Sequence, residues 1–444
     1  MNSCFYKNLF PKQFVTVYFT TLFLVLSLVP AFAQQGLTPE QVAELKIVTS
    51  ATISSNGKYV AYTLSVPADP KEKNQPNRSH LYVLNTESGE SRSYHSATSV
   101  SSVSFRPGDE TITFLTQRED DPTRSLFELP LNGGEAVKLF SHKTNIVAYE
   151  WAGDGNHVAF TAPEELPEPE TELPYAPEIF EENVANRKAY ITNVRRTNHE
   201  PHRIDVDGTV YMMAWSPDYS KLAISVAPTP AIDDFYMFQE VFIVDYGTRE
   251  VISEINNEGK IGQIVWSPDG EQLALRAGRD IHDPIDGRIL IVSAEGGDPR
   301  IIDHDFEGKY EQISWRDNDK IHFLASEGVL RSFGTIQPDG SDKQLIIEAG
   351  NLIVGSFEIS DNNTKLFTAN TSSHPNEVFI MTNSDSQPKR MTETNPWLNE
   401  TEMGRQEIVR YKTRDEKFEI EGLLIYPVDY SDGDLIPIIT MVHG

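Results

Sequence analysis

The stretch Ile264 to Leu275, IVWSPDGEQLAL, is written seven times along this chain with variations, and a short strand pattern repeated that often leaves few folds open. An apolar strand runs into Trp266, Ser-Pro-Asp-Gly makes a tight turn, and a second strand returns through Leu273 and Leu275. Pro268 presets φ at the second turn position, Asp269 offers an acceptor to nearby backbone, and Gly270 takes the positive φ that ends the turn. The unit reads as a β-hairpin.

The other copies start at Thr52, Val103, Tyr149, Met213, Ile313 and Phe357, which aligns Ile53, Phe105, Trp151, Trp215, Trp266, Trp315 and Ile359 at intervals of 44 to 64 residues. Between copies lies a second strand-turn-strand unit, as in Val241 to Ser253 and Ile289 to Ile302. Two hairpins per period make a four-stranded sheet, and strands repeating on this scale predict propeller blades. One such sheet cannot cover both its faces, so the copies must pack side by side and close into a ring. The expected fold is all-β: a seven-bladed β-propeller over residues 52–395, with Trp151, Trp215, Trp266 and Trp315 buried at equivalent places between blades. A row of β-sandwiches is the competing architecture, since sandwiches also show short strands at regular spacing.

The first 33 residues read as an export signal. Lys7 and Lys12 supply positive charge, Phe14 to Val29 is almost unbroken apolar sequence, and Ala31-Phe32-Ala33 is a small-residue cleavage site. The mature chain is expected to begin at Gln34, periplasmic or secreted, without a stable membrane anchor. The one cysteine, Cys4, leaves with the leader, so neither disulfides nor a thiol nucleophile are expected. Residues 34–51 form a helical lead-in, Leu37 to Val48, with Thr38 as N-cap and Pro39 in the first turn. A net charge of −28 repels phosphate backbones and argues against nucleic acid as a partner.

The longest interval, from Trp151 to Trp215, holds an insertion, Pro163 to Glu182, with five prolines, eight glutamates and no basic residue. Its prolines oppose regular structure and its charges oppose collapse, which describes a solvated loop. A functional alternative makes it an acidic arm whose end, Glu181-Glu182, holds the free amino terminus of a peptide by charge-assisted hydrogen bonds. Arg195-Arg196 reads as a surface pair, with a carboxylate or carbonyl grip as the alternative. His199 and His202 lack a third ligand nearby and Pro201 breaks helical spacing, so no metal is expected. No cofactor is expected either.

After Met391 the hairpin repeat stops. Residues 396–444 read as a strand at Glu407 to Tyr411, another at Phe418 to Tyr426, a polar loop, and an apolar strand, Ile436 to Val442, leading into His443-Gly444. An unbroken apolar run suits a strand buried on both faces of an α/β sheet. A propeller followed by RYKTRDEKFEIEGLLIYP and IPIITMVHG resembles the prolyl oligopeptidase family of serine peptidases, on the branch with acylaminoacyl and dipeptidyl peptidases. In that family an α/β-hydrolase domain follows the propeller, and His443-Gly444 matches the opening of its His-Gly-Gly oxyanion motif. Ile420, Gly422, Leu424 and Pro427 match as well, but Asp415-Glu416 stands where the family has Asp-Gly, which puts the turn there in doubt.

The resemblance implies a secreted peptidase of oligopeptides whose propeller restricts access to the active site. It places the serine, aspartate and histidine after Gly444, so no catalytic residue is assigned in this chain and the chain alone is expected to be inactive. The other reading is a non-catalytic TolB-like propeller that binds a periplasmic partner. The segment 405–444 discriminates, because a free-standing propeller has no use for the first strands of a hydrolase sheet.

Overall fold

A computed structural model describes residues 36–69, 71, 75–108, 111–167, 174–175, 180–196 and 200–442. Seven four-stranded antiparallel sheets, each built from strands consecutive in sequence, form the seven blades of a β-propeller. Their first strands, Ile47–Ile53, Ser101–Phe105, Ala148–Trp151, Thr209–Trp215, Ile261–Trp266, Lys309–Asp317 and Ile353–Ile359, lie side by side around the axis. The expected leader, with its expected cleavage site after Ala33, lies outside the described residues.

The hairpin turns owe their shape to a repeated side-chain device. In blade 5 the Ser267 hydroxyl donates to Asp269 Oδ1 at 2.6 Å and accepts from Gln272 N at 2.9 Å, bridging the two strands. Ser216 with Asp218, Ser54 with Asn56, and Ser360 with Asn362 do the same in blades 4, 1 and 7. Gly270 has φ 71° as the sequence requires, while Tyr219 and Asn363 adopt φ near 60° at the equivalent place without being glycine.

Neighbouring blades share apolar clusters, which is why one blade alone would not be stable. Phe333 of blade 6, fully buried, meets Phe357 and Phe367 of blade 7 edge-on with centroids 4.9 and 5.0 Å away. Three of the four aligned tryptophans are buried, but Trp215 is half-buried. Their indole N–H groups reach back one blade: Trp266 donates to Ala214 O at 2.9 Å and Trp215 to Glu150 O at 3.3 Å. Trp151 donates to the Thr113 hydroxyl at 3.0 Å, which passes a bond to Ser104 O. Trp315 departs from the pattern and donates to Asn318 O in its own turn, where Arg-Asp-Asn-Asp replaces Ser-Pro-Asp-Gly.

Among the described residues no strand is exchanged between the last blade and the first. The ring closes instead through an apolar cluster of Val48, Ile53, Val60 and Tyr62 with Leu366, Val378 and Ile380, and through side-chain clasps. Asn395 pairs with Lys46 as a strand would, accepting from its N–H at 2.9 Å and donating to its C=O at 2.7 Å. Asn362 Nδ2 donates to Asn56 O, and Asp361 N to Ser55 O.

Two expected elements differ. The lead-in helix spans only Pro39–Ala43, capped by Thr38 with Gln41 in a capping box, because Ile47 already belongs to the first strand of blade 1. The segment 436–442 forms no strand. Ile438, Ile439, Met441 and Val442 stand 75 to 92% exposed, since no neighbouring ladder is there to pair with them. The strands Gln406–Lys412 and Glu419–Ile425 do form and pair antiparallel. Glu416 takes φ 58° at their turn, so the glutamate adopts the left-handed backbone that the family's glycine would supply. Among the described residues no helix is long and apolar enough to cross a membrane.

Candidate functional site

All seven first strands run the same way, which gives the ring two unlike faces. One carries the tight turns. The other, the loop face, carries the links from second to third strand, including residues 164–167 and 180–186 of blade 3 and the short helix Ile232–Met237 of blade 4. The C-terminal hairpin belongs to this second face: Val329 N, in such a link of blade 6, donates to Glu421 Oε1 at 3.4 Å.

Glu181 and Glu182 are exposed at the end of the blade 3 link, with Glu181 at φ 59°. They therefore rise on the face that carries the C-terminal hairpin. Arg195 and Arg196 do not join them. They are exposed in the link between the third and fourth strands, on the turn face, as a surface pair. His202 opens the fourth strand of blade 3 opposite Ile191. His199, His443 and Gly444 lie outside the described residues.

The channel holds a pair of groups that sequence reasoning missed. The residues just before the aligned positions, Thr52, Ser104, Glu150, Ala214, Val265, Ser314 and Glu358, border the channel with solvent access. Two of the seven are glutamates, on blades 3 and 7. The signal was available: a charge stands where the other copies carry small or neutral side chains. Desolvation pushes the Glu150 carboxyl up to about 7, with like-charge repulsion from Glu358 as the second cause. Glu358 is raised too, again first by burial, against which the Thr52 hydroxyl, the Ile53 N–H and Arg316 favour its charged form.

At the turn-face mouth of the channel a cavity of about 370 Å³ is lined by Ser54, Ser104, Arg106, Arg316, Glu358 and Asp361 among others. Arg316 pairs with Asp361 at 2.6 Å. Arg106, buried against the Trp151 ring, holds Glu128 at 2.7 Å and donates to Gly155 O. These groups can balance charge and take up protons. His157 has Asp154 Oδ2 at 2.6 Å from Nδ1 and the Asn193 amide at 3.0 Å from Nε2, so both ring nitrogens are taken by an acid and an amide and neither by a hydroxyl.

No family model matches the sequence, and no curated protein does. Solved structures do match. The acylaminoacyl peptidase of Pyrococcus horikoshii aligns with a TM-score of 0.66 at 16% identity over 87% of this chain and 58% of its own. A puromycin-hydrolysing peptidase of Mycobacterium tuberculosis gives 0.66 at 13% identity, over 91% and 63%. A prolyl endopeptidase gives 0.58 at 11% identity, over 96% and 61%. The fold is that of the propeller portion of prolyl oligopeptidase family peptidases. The chain spans about 60% of the length of the peptidases it matches. At these identities the likeness concerns the backbone, and the channel glutamates belong to this chain's own description.

Proposed function

We propose that this chain is the propeller portion of an exported serine peptidase that cleaves oligopeptides, with the propeller limiting which peptides reach the active site. One observation carries the reading: the hairpin Gln406–Ile425 and the exposed apolar segment 436–442 follow a closed propeller, the hairpin on its loop face. A propeller that only binds a partner has no use for them. Likeness to peptidases of this architecture supports the reading.

In this proposal the segment 436–442 becomes an inner strand of a hydrolase sheet, His443-Gly444 begins the oxyanion motif, and the serine, histidine and acid lie past Gly444. Glu181 and Glu182, exposed on the loop face, hold the amino terminus of a peptide. Export removes residues 1–33, and N-terminal sequencing of protein from the periplasm or medium should start at Gln34.

The deciding experiment uses a serine-directed fluorophosphonate and peptide amides on protein translated from the reading frame continued past codon 444. That protein should label and hydrolyse, while the 444-residue chain should do neither. Labelling of the 444-residue chain at a comparable level would overturn the assignment of the nucleophile.

A further inference from the structure

We propose that blades 3 and 4 share a binding site for one phosphate or sulfate dianion on the turn face, gripped by Arg196 from blade 3 and Arg249 from blade 4. A cavity of about 210 Å³ lies there, lined chiefly by His157, Asn193, Arg196, His202, Tyr246 and Arg249. It is too small for an extended ligand and suits a compact ion. Among the described residues no hydrogen bond or ion pair engages either guanidinium, in a chain whose 66 acidic side chains outnumber its 38 basic ones. Two guanidiniums bordering one small cavity match the charge of a dianion, and each can offer it a fork of donors. The C-terminal hairpin is on the loop face, so the site stands apart from the peptidase reading.

The backbone gives an independent reason to single out Arg249. In the loop from Asp245 to Glu250, Asp245 N donates to Glu250 O and Arg249 N to Asp245 O, and Arg249 takes φ 68°. Blade 1 closes its own loop from Asn85 to Glu90 with the same two bonds, but there the left-handed position is Gly89, φ 72°. An arginine thus holds a conformation that suits glycine, which marks a residue kept for what its side chain does. Tyr246 adds a neutral donor. Its ring stands edge-on to His157 and Trp215, with centroids 5.4 and 5.6 Å away, and among the described residues its hydroxyl makes no hydrogen bond. Burial, then Asp154, raises the Tyr246 pKa while Arg249 and Arg196 act against them, so both guanidiniums bear on one phenol that stays protonated. The opposing charge is Asp154, already engaged with His157 Nδ1 at 2.6 Å and the Asn156 N–H at 2.8 Å.

Phosphorus NMR of inorganic phosphate, titrated with the 444-residue chain at constant ionic strength, tests this through line broadening. The wild-type chain should broaden the line saturably, sulfate should reverse the effect, and acetate at the same concentration should not. Arg196→Ala and Arg249→Gly should each weaken binding roughly tenfold, as the loss of a charge-assisted hydrogen bond implies. Measured without phosphate, Arg249→Gly should unfold in urea at no lower a midpoint than wild type, because glycine relaxes the turn. Asp154→Asn should tighten binding, whereas Asp415→Asn, which removes the same charge from the distant C-terminal hairpin, should leave it unchanged. The proposal is overturned by the absence of saturable broadening, by displacement with acetate as effective as with sulfate, or by wild-type binding in both arginine variants.

Discussion

Replacing Glu377 with alanine is expected to lower the unfolding free energy by about 3–5 kcal/mol, the usual cost of removing one partner from a buried charged network. Glu377 is 0% exposed and accepts four hydrogen bonds. Thr392 Oγ1 donates at 2.6 Å, Thr394 N at 2.8 Å, Thr394 Oγ1 at 2.9 Å and Arg390 Nη2 at 3.1 Å. The Thr392 hydroxyl in turn accepts from Val378 N at 2.9 Å. Truncation leaves a partly buried guanidinium, two hydroxyls and an amide without the acceptor that the buried carboxylate supplies. The damage also spreads, because the segment Glu377 fixes runs directly into Asn395, the residue that pairs with Lys46 at the ring seam. Urea unfolding of Glu377→Ala against wild type measures it. A loss under about 1 kcal/mol would show that the network is not tight.

The second large effect is a loss of stability in mild acid through His322. The ring is 5% exposed, stacks on Phe333 and leaves Nδ1 without a hydrogen-bond partner among the described residues, so a charge there is poorly compensated, with only Asp317 favouring it. Burial, seconded by the nearby Lys365 ammonium, lowers its pKa from 6.5 to about 4. The sign follows from which state binds the proton. The unfolded chain takes it up below about 6.5 while the folded chain refuses it until about 4, so stability falls as pH drops through that window and falls no further below it. The full difference is about 3 kcal/mol. His95 and His142 are lowered for the same first reason, burial, and act in the same direction. Glu150 and Glu358 act oppositely, since raised carboxyl pKa values favour the fold as pH falls. His322→Phe should therefore lose less stability than wild type between pH 7 and pH 4.5, by up to about 2 kcal/mol in urea unfolding. Equal losses in the two proteins would remove His322 from the account.

The ring and its blade count were legible because they rest on local chemistry. A serine, a proline or its substitute, an acid or amide and a glycine close a hairpin wherever they occur, and seven aligned hairpins leave little freedom in how the sheets pack. Blade 6 shows the limit of that reading. Its turn abandons the pattern, and Trp315 satisfies its N–H locally where Trp215 and Trp266 reach the blade behind. The candidate site was harder, because its members meet across the ring. Glu150 and Glu358 stand far apart in sequence, and only closure brings them to one channel. Glu377 was invisible for a different reason: a glutamate in a strand reads as solvent-facing until its donors at 390–394 are seen to fold over it. The C-terminal hairpin was readable from its strands, and Glu416 shows that a turn survives the loss of its glycine when the ladder around it is strong enough to hold the backbone there.

Because each blade consists of four strands that follow one another, nearly all pairing is complete within a few dozen residues of synthesis. The seam is the exception: Lys46 and Asn395 are 349 residues apart. At about 5–20 residues per second, a growing chain presents the open flank of blade 1 for roughly 20 to 70 seconds before its partner exists. During that time Val48, Val60 and Tyr62 face water or whatever else is near. Blade 1 is thus the part of this molecule with most to gain from a chaperone, and the part whose strands are most available to a neighbouring nascent chain.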